Sequence, residues 1–562
     1  MDKQKRSIKL GLIATAILAL AVLTLSPQQT DTAAQSSRSF IVKASSIEDA
    51  REAVHEVGGT VTHELPIINA VGASLTSSQI DTLLASQVVR LYANSKTKLT
   101  GKPNKPSGGG SAGNTYYPAL IGADDLHTEG ITGRGVTVAV LDSGLWPDND
   151  VLLDSNGSLR FLGSYDVFTG VTDGARDGYG HGTHVSGVAV SSRQSSSTGR
   201  FDGIAPDADL VFVRAFDENG QGNYLDVISG LQWILDHQAA YGIRVANLSF
   251  SALPQSYYWD DPLAQAVMAL WRSGIVVVAS AGNRGPSAMT IGVPGNVPYI
   301  ITVGAMTDNF TPEDPADDVL ASFSSAGPTV EGFVKPELVA PGGHVRALMD
   351  GRDTLAVEHK QFHDGSYYFQ MSGTSQAAAT VTATVALMLQ QSPELTPDEV
   401  KYRLLESAQP AQFSGGSPVY SIFQQGAGLV DAYGATHSTT TGSANGTMDI
   451  DLDLAGTQHY AGPADAYEQS GKGGSTSYVF FLRDAAGNPI EDDGYLWSDR
   501  YVFEDGFLWS DGFLWSDGYL WSDGFLWSDG FLWSDAYLWS DGYLWSDLQT
   551  EALFTESWVR QE

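Results

Sequence analysis

Residues 136–144 read VTVAVLDSG, and this stretch decides the fold class of the chain. The run is apolar and rich in valine, as expected for a strand buried on both faces of a parallel sheet. Similar runs follow at residues 210–215, 244–250, 275–280 and 299–303. Helix-like segments alternate with them at residues 184–192, 224–240, 262–273, 375–391 and 397–407. This alternation predicts a three-layer α/β sandwich with a mostly parallel sheet and right-handed crossovers.

Four polar segments lie at the strand ends or helix starts of this α/β region. Asp142 ends the first strand within DSG, and His181 lies just before a helix within GHGTHVSG. Asn283 follows the strand at residues 275–280, and Ser375 starts a small-residue helix within SGTSQAAA. Because ligand sites of open α/β sheets form at the carboxyl edge of the strands, we expect these side chains to converge.

Each segment alone has another interpretation. DSG also occurs in aspartic proteases, but those need two such carboxylates, and DSG occurs once here. His181 and His184 share a helix face as a zinc pair would, but no third ligand accompanies them. A buried structural role fits His184 better. Asn283 alone is typical of a turn, and Ser375 alone is typical of a helix N-terminus.

Together the four residues meet the requirements of one mechanism. A serine hydroxyl needs a base, and His181 can take the Ser375 proton and return it to the leaving amine. Asp142 can orient the imidazole and stabilise its charged form. The Asn283 amide and the Ser375 backbone N–H can donate to the oxyanion. The sequence therefore predicts peptide-bond hydrolysis through an acyl-enzyme.

These motifs resemble those of the subtilisin-like serine peptidases, the subtilases, over about residues 117–437. The order Asp, His, Ser along the chain is the subtilisin order. The matching segments are Asp142-Ser143-Gly144, His181-Gly182-Thr183-His184-Val185, Ala281-Gly282-Asn283, Gly373-Thr374-Ser375 and KPELVAPG at residues 335–342. The resemblance implies a triad of Asp142, His181 and Ser375, with Asn283 in the oxyanion hole. It also implies a specificity pocket flanked by two segments. One segment consists of Ser249, Phe250 and Ser251, and the other of Ser280, Ala281 and Gly282.

The chain departs from the family pattern in three places. After the nucleophile, Gln376, Ala379 and Thr380 stand where the family has Met, Pro and His. Loss of the proline is expected to soften the first turns of the helix. Residues 247–252, NLSFSA, replace a Ser-Leu-Gly segment, which leaves the pocket shape open. Residues 191–203, where many relatives hold calcium, have Asp202 as their one acid, so we assign no cofactor and no metal, and calcium stays open.

Three separate parts precede the α/β region. Residues 1–34 have the basic start, apolar run and small residues of a secretory signal peptide. The alternative is an uncleaved membrane anchor, for which the run is short. The signal predicts an extracellular protein, free or associated with the cell surface.

Residues 38–100 show a βαββαβ pattern, which predicts a ferredoxin-like unit. By resemblance this unit is an inhibitory propeptide, which assists folding and blocks the active site until it is cleaved. Residues 101–115 form a linker rich in Gly and Ser. We expect self-cleavage between about Asn94 and Tyr116.

Three regions follow the catalytic unit at residues 116–437. Residues 438–490 turn polar, and strands expected at residues 447–454 and 477–482 indicate a small β-rich region. Residues 491–547 contain nine six-residue units, of which eight read [GA]-[FY]-L-W-S-D, and residues 548–562 are a tail. The units at residues 494–547 fit an aggregating aromatic stack, a β-solenoid or a strip that contacts polysaccharide or a surface.

Composition restricts the partners of the chain. The chain has 562 residues and a net charge of −34, which makes nucleic acid an unfavourable partner. It has no cysteine, so its nucleophile is not a thiolate. Protein or peptide substrates and the chain's own propeptide are the expected partners. The alternative function is a non-catalytic surface or adhesion protein on a subtilase scaffold, with the Trp repeats as its working part.

Overall fold

The computed structural model describes residues 37–99, 102–103, 116–309, 311, 317–413, 418–470, 476–483, 489–490 and 507–508. The segments predicted as signal peptide (1–34), linker (101–115), repeats (491–547) and tail (548–562) lie outside the described residues, apart from residues 102–103 and 507–508. Within the described part of the chain, no helix is both long and apolar enough to cross a membrane.

The first described segment is a four-stranded antiparallel sheet covered by two helices. Its elements are β1 Arg38–Lys43, α1 Ile47–Glu56, β2 Thr60–Leu65, β3 Ala70–Leu75, α2 Ser77–Ser86 and β4 Arg90–Ala93. The element order βαββαβ is the one the sequence predicts, and the strand order in the sheet is β2-β3-β1-β4. Val42, Val54 and Leu75 belong to a core of its own, whereas Ile41 and Leu65 belong to the core of the α/β region.

The main sheet has nine strands and is mostly parallel. Its strand order is β16-β15-β14-β12-β7-β10-β8-β9, with β17 beside β15. Only the pairs β15/β16 and β8/β9 are antiparallel. The strands of the α/β region are β7 Thr137–Asp142, β8 Phe161–Asp166, β9 Val171–Thr172, β10 Asp209–Arg214, β11 Gln221–Asn223, β12 Ile243–Leu248, β13 Phe250–Ser251, β14 Val276–Ser280, β15 Ile301–Thr307, β16 Val319–Leu320, β17 Leu338–Pro341, β18 Val345–Leu348 and β19 Tyr368–Ser372.

Helices cover both faces of this sheet and give the predicted three layers. Helices α6 and α10 pack against each other and on one face, whereas α7 and α8 form the other pair. The β2 strand packs against α7. The helices are α3 Tyr117–Leu120, α4 Ala123–Thr128, α5 Asn149–Leu152, α6 His181–Val190, α7 Tyr224–Tyr241, α8 Pro262–Arg272, α9 Thr354–Glu358, α10 Thr374–Gln391, α11 Pro397–Ser407, α12 Ile422–Gln425 and α13 Ala432–His437.

The segment after the four-stranded unit crosses the edge of the α/β region as two short strands, β5 Lys96–Leu99 and β6 Lys102–Pro103. The β5 strand is antiparallel to both of its neighbours, β11 and β13, and lies between them. The β6 strand pairs with β19, where Lys102 is opposite Ser372. The β5 strand therefore lies beside the predicted pocket segment at Phe250–Ser251, and β6 lies beside the strand that precedes Ser375.

The region after residue 438 differs from its prediction. Its elements are α14 Ile450–Leu454, β20 Tyr460–Ala461, β21 Ala464–Ser470, β22 Thr476–Arg483, β23 Pro489–Ile490 and β24 Phe507–Leu508. A strand does occur at residues 477–482, within β22. The strand predicted at residues 447–454 is wrong, because residues 450–454 are helical. Asp449 caps this helix by accepting from the N–H groups of Asp451 and Leu452.

Candidate active site

His181 and Asp142 form a buried hydrogen-bonded pair. Asp142 is the last residue of β7, and His181 is the first residue of α6 rather than the residue before it. The ring Nδ1 of His181 lies 2.8 Å from Asp142 Oδ1 and 2.9 Å from Oδ2. Both side chains are 0% exposed. Because Nδ1 donates to the carboxylate, Nε2 is the nitrogen that can accept a proton.

This second nitrogen of His181 is poised for a further partner. Nε2 is buried and has no hydrogen-bond partner among the residues that the structure describes. A buried polar atom in this state is costly, and such atoms occur where a reaction or a ligand supplies the partner. The ring is therefore held by one nitrogen and leaves the other for proton transfer.

Ser375 is the second residue of α10, and it is fully buried. Its Oγ donates to the Ser249 carbonyl at 3.1 Å, while Ser249 Oγ donates to the Ser375 carbonyl at 3.0 Å. Packing of α6 against α10 brings the segments of His181 and Ser375 together. A bond from nucleophile to base is often formed only when substrate is in place.

Asn283 is attached to the segment of Ser375. Its Oδ1 accepts hydrogen bonds from the backbone N–H and the Oγ1 of Thr374, both at 3.0 Å. Thr374 Oγ1 also accepts from the backbone N–H of Gly282 at 3.2 Å. The amide is thereby oriented with its oxygen toward α10, and its Nδ2 is the donor end.

The two predicted pocket segments lie side by side. Ser280 Oγ donates to the Phe250 carbonyl at 3.1 Å, and Gly282 has a φ of +104°, which favours glycine. An added Cβ at Gly292 would lie 2.1 Å from Ser251 Oγ, so the Ser251 side chain fills the space beside that glycine. The Phe250 ring is buried against Phe216, with 5.3 Å between the ring centroids.

His184 has the structural role predicted for it. It is 0% exposed, and its Nε2 donates to the Phe369 carbonyl at 3.0 Å. Its Nδ1 lies 3.3 Å from Gln376 Nε2, so Gln376 donates to it. Burial, with a contribution from His181, lowers the pKa of His184 to about 3, and the ring is therefore neutral. Both nitrogens are used within the protein, which is a structural role and not that of a metal ligand.

Residues 376–380 show how α10 accommodates its unusual composition. Thr380 Oγ1 donates to the Gln376 carbonyl one turn earlier, at 3.0 Å, and Gln376, Ala379 and Thr380 are all fully buried. The helix continues without a break to Gln391. Softening of its first turns stays a prediction.

The segment at residues 191–203 has one acid, Asp202, which accepts a hydrogen bond from the Tyr368 hydroxyl. Among the described residues, no group of three or more His, Asp or Glu side chains is arranged to hold a metal ion. Calcium also binds backbone and amide oxygens, so no metal is assigned and calcium stays an open expectation.

One residue important to the geometry escaped the sequence analysis. Asp177, four residues before His181, accepts hydrogen bonds both from Ser143, next to Asp142, and from Thr183 in α6. An acid just before a helix start is a known capping signal. The sequence pattern places the helix at residues 184–192, too far from Asp177 for a cap. The helix α6 in fact begins at His181, three residues earlier, which brings its first turn close to Asp177.

Comparison with known proteins identifies the family. Residues 133–440 match the family model described as the subtilase family, peptidase S8. Serine protease AprX of Bacillus subtilis strain 168 is 37% identical over 342 residues, which cover 59% of this chain and 73% of AprX. Subtilisin E of the same organism is 28% identical over 77% of this chain and all of its own length.

A solved structure supports the fold. Fervidolysin from Fervidobacterium pennivorans, a keratinolytic enzyme related to subtilisin, superposes with a TM-score of 0.57 at 21% identity. The alignment covers 80% of this chain and 68% of fervidolysin. At this identity the likeness concerns the subtilisin-like α/β fold alone.

The fold and the matched family define the class of the protein as a serine endopeptidase. The chain belongs to the subtilase family. Its substrates are therefore proteins or peptides, and the alternative of a non-catalytic adhesion protein is not favoured.

Proposed function

We propose that the protein is a secreted endopeptidase, made as a zymogen, in which Ser375 is the nucleophile. His181 accepts the Ser375 proton at Nε2 and later gives it to the leaving amine. Asp142 keeps the ring in the required tautomer and stabilises the imidazolium. The observation that carries this proposal is the buried pairing of His181 Nδ1 with Asp142 at 2.8 Å, which leaves Nε2 for proton transfer.

The oxyanion is stabilised by two donors in this proposal. One is the Asn283 side-chain amide, held by Thr374, and the other is the Ser375 backbone N–H in the first turn of α10. Ser249–Ser251 and Ser280–Gly282 flank the bound peptide. The antiparallel pairing of β13 with β5 supports this role for the first segment, because it is a backbone pairing of the kind that a bound peptide would make.

The arrangement of β5 and β6 supports a zymogen. Thr97 and Leu99 are buried between β11 and β13, and Lys102 pairs with Ser372, three residues before the nucleophile. The described strands on either side of residues 100–101 therefore pair with the segment at Phe250–Ser251 and with the strand that ends three residues before Ser375. We place self-cleavage at one of the three peptide bonds that join Leu99 to Lys102, within the range expected from the sequence.

Replacement of the nucleophile tests the catalytic proposal. Ser375→Ala and His181→Ala should each lower hydrolysis of fluorescein-labelled casein by several orders of magnitude, because the first variant lacks the nucleophile and the second lacks the base that activates it. Asp364→Asn, a change outside the proposed machinery, is the control and should retain activity. Casein hydrolysis that persists near the parent rate in purified Ser375→Ala would overturn the mechanism.

N-terminal sequencing of the mature protein tests the zymogen proposal. We expect the mature chain to begin at Thr100, Gly101 or Lys102. Leu99→Asp should slow processing because it places a charge in a buried position, whereas Lys96→Asp, exposed on the same strand, should not. Full activity in a protein that retains residues 35–100 would contradict this part of the proposal.

Secretion depends on residues 1–34 in this proposal. Removal of these residues should leave the protein inside the cell, while the full chain should be found in the medium or at the cell surface. Immunoblots of cell and medium fractions decide between the outcomes. Equal export of both forms would contradict a signal peptide.

A further inference from the structure

Asp177 connects the two segments that carry His181 and Asp142. Its Oδ1 accepts from Ser143 Oγ at 2.9 Å, and Ser143 directly follows Asp142. The same oxygen accepts from the backbone N–H groups of Tyr179 and Gly180, at 3.1 and 2.8 Å. Its Oδ2 accepts from the N–H and Oγ1 of Thr183, at 2.9 and 2.7 Å. Five donors thus hold one carboxylate between the end of β7 and the first turn of α6.

A second segment closes over the turn at residues 178–180. The N–H and Oγ1 of Thr354, the first residue of α9, donate to the Gly178 carbonyl at 3.0 and 3.1 Å. The N–H of Leu355 donates to the Tyr179 carbonyl at 3.1 Å. The turn that leads to His181 is therefore clamped from one side by Asp177 and from the other by α9.

Asp353 lies at the start of α9, against this turn. It is 6% exposed, and an added Cβ at Gly180 would lie 3.1 Å from its Cβ. Its Oδ2 has no hydrogen-bond partner among the described residues. Burial, together with the charges of Asp177 and Asp350, raises the pKa of Asp353 to about 8. Burial also raises the pKa of Asp177.

When only one of the two acids is ionised, Asp177 is the better place for the negative charge. Both oxygens of Asp177 are supplied with donors, whereas Asp353 Oδ2 has none, so the proton of the pair belongs on Asp353. The charged groups around the pair are Asp142 on the β7 side, Asp350 before α9, and Arg176 and Arg352, which lie 3.8 and 2.5 Å from Asp350. The arginines face Asp350 and offset its charge.

We infer that Asp177 and Asp353 are a positioning pair for His181, and that the pair holds the His181 turn in place only while Asp353 carries a proton. The inference rests on the proposed catalytic role of His181. Ionised Asp353 would place a second negative charge, with no donor at its Oδ2, beside Gly180, whose N–H is held by the Asp177 carboxylate. The repulsion between the two charges would loosen the contacts of Thr354 and Leu355 with the turn. Asp177 and Asp353 themselves do not touch the reacting atoms.

The sign of the pH effect follows from the proton balance. Above its ordinary pKa of 3.8 and below about 8, Asp353 is protonated in the folded protein and ionised in the unfolded chain. The folded state therefore loses stability as pH rises across this window, and the turn loses its protonated partner above about pH 8. Activity should fall on this alkaline side.

The pH profile of Asp353→Asn tests the pair, because asparagine stays neutral at every pH. The rate on fluorescein-labelled casein should fall above about pH 8 in the parent enzyme and persist at least one pH unit further in Asp353→Asn. Asp364→Asn is the matched control and should keep the parent profile, because Asp364 follows Asp353 in the same stretch of chain but pairs with Arg346. A parent rate that stays level from pH 7 to 10, or an Asp353→Asn profile identical to the parent's, would overturn the inference.

A second variant separates positioning from general stability. Asp177→Asn replaces one acceptor oxygen by a donor. We therefore expect kcat to fall by about 10²-fold while KM stays nearly unchanged. The substrate is the casein-derived peptide that the parent enzyme cuts fastest. Far-UV circular dichroism, which does not depend on the active site, reports the folded fraction. A kcat equal to the parent's, or a loss that equals the loss of folded protein, would overturn the inference. Ser375→Ala assayed alongside separates the two proposals, since activity retained there overturns the triad instead.

Discussion

Thr374 holds Asn283 through two hydrogen bonds of 3.0 Å to the same amide oxygen, one from its backbone N–H and one from its Oγ1. The residue just before the nucleophile therefore sets the rotation of the side chain proposed for the oxyanion hole. The proposed oxyanion donors, the Asn283 amide and the Ser375 N–H, are linked through this one residue. Their spacing is fixed before substrate arrives, which is the condition for electrostatic stabilisation of the transition state.

Asn283→Leu should lower kcat by about 10² to 10³-fold, the range known for such a donor in subtilisin itself. Leucine has a similar volume but no N–H, so KM should change little. Single-turnover kinetics on a defined peptide measure the effect. A loss of less than threefold would show that another group stabilises the oxyanion.

Thr374→Val should lower kcat by about tenfold, because it removes one of the two bonds that orient Asn283 and keeps the other. It also removes the acceptor of the Gly282 N–H. In the double variant with Asn283→Leu the two effects should not add, since both act on one donor. Full additivity in that double-mutant cycle would contradict the coupling.

Asp453→Ala should destabilise the protein by about 3 kcal/mol. Asp453 is buried and accepts from the hydroxyls of Tyr258 and Tyr299, at 2.7 and 3.0 Å, and pairs with His459 at 2.7 Å. Truncation leaves these buried groups unpaired. Urea denaturation measures the change.

Asp451→Ala is the matched control for this prediction. Asp451 lies on the same helix, its side chain is 74% exposed, and its ion pair with Arg272 is 3.4 Å long. Its loss should cost less than about 1 kcal/mol. Equal costs for the two variants would mean that the buried network does not attach α14 to the α/β region.

Alkaline pH should tighten the contact between the four-stranded unit and the rest of the protein through Lys43. Burial lowers the pKa of Lys43 to about 8, against the opposing charge of Asp260 and with a small contribution from Arg90. The ordinary pKa of lysine is 10.5. Between pH 8 and 10.5, Lys43 is therefore deprotonated while the four-stranded unit is bound and protonated once the unit is released. Binding therefore strengthens as pH rises, by up to about tenfold per pH unit.

Lys43→Met should remove this pH dependence, since methionine has similar length and no charge. After the proposed cleavage, the four-stranded unit and the rest of the protein form a noncovalent complex. This complex can be diluted to a series of concentrations, and the fraction of the unit that stays bound is measured by size-exclusion chromatography at each pH. A parent complex whose affinity is constant from pH 8 to 10.5 would contradict the prediction.

The places of Asp142, Asn283 and Ser375 on their strands and helix could be predicted because a simple rule applies to each position. Asp142 ends a continuous apolar strand, and Asn283 follows another, so both were expected at the carboxyl edge of one parallel sheet. Ser375 is predicted at a helix start because a run of small, helix-forming residues follows it. These rules use the order of elements along the chain and not the details of packing.

Other features depend on partners that are distant in the sequence. Residues 447–454, TMDIDLDL, alternate as a strand would, but Asp453 is bonded to Tyr258, 195 residues away, and Asp449 caps a helix instead. Asp353 is remote from Asp177 in the chain, and no local pattern relates the two. Such tertiary contacts override the local pattern, and a single sequence does not show them.

The most direct test of the proposed chemistry is the site of covalent labelling. A fluorophosphonate reacts with a serine that is activated by a neighbouring base, and mass spectrometry of the digested protein identifies the labelled residue. We predict a single adduct on Ser375 that disappears in His181→Ala. An adduct on another serine, or equal labelling of Ser375 when His181 is absent, would contradict the account.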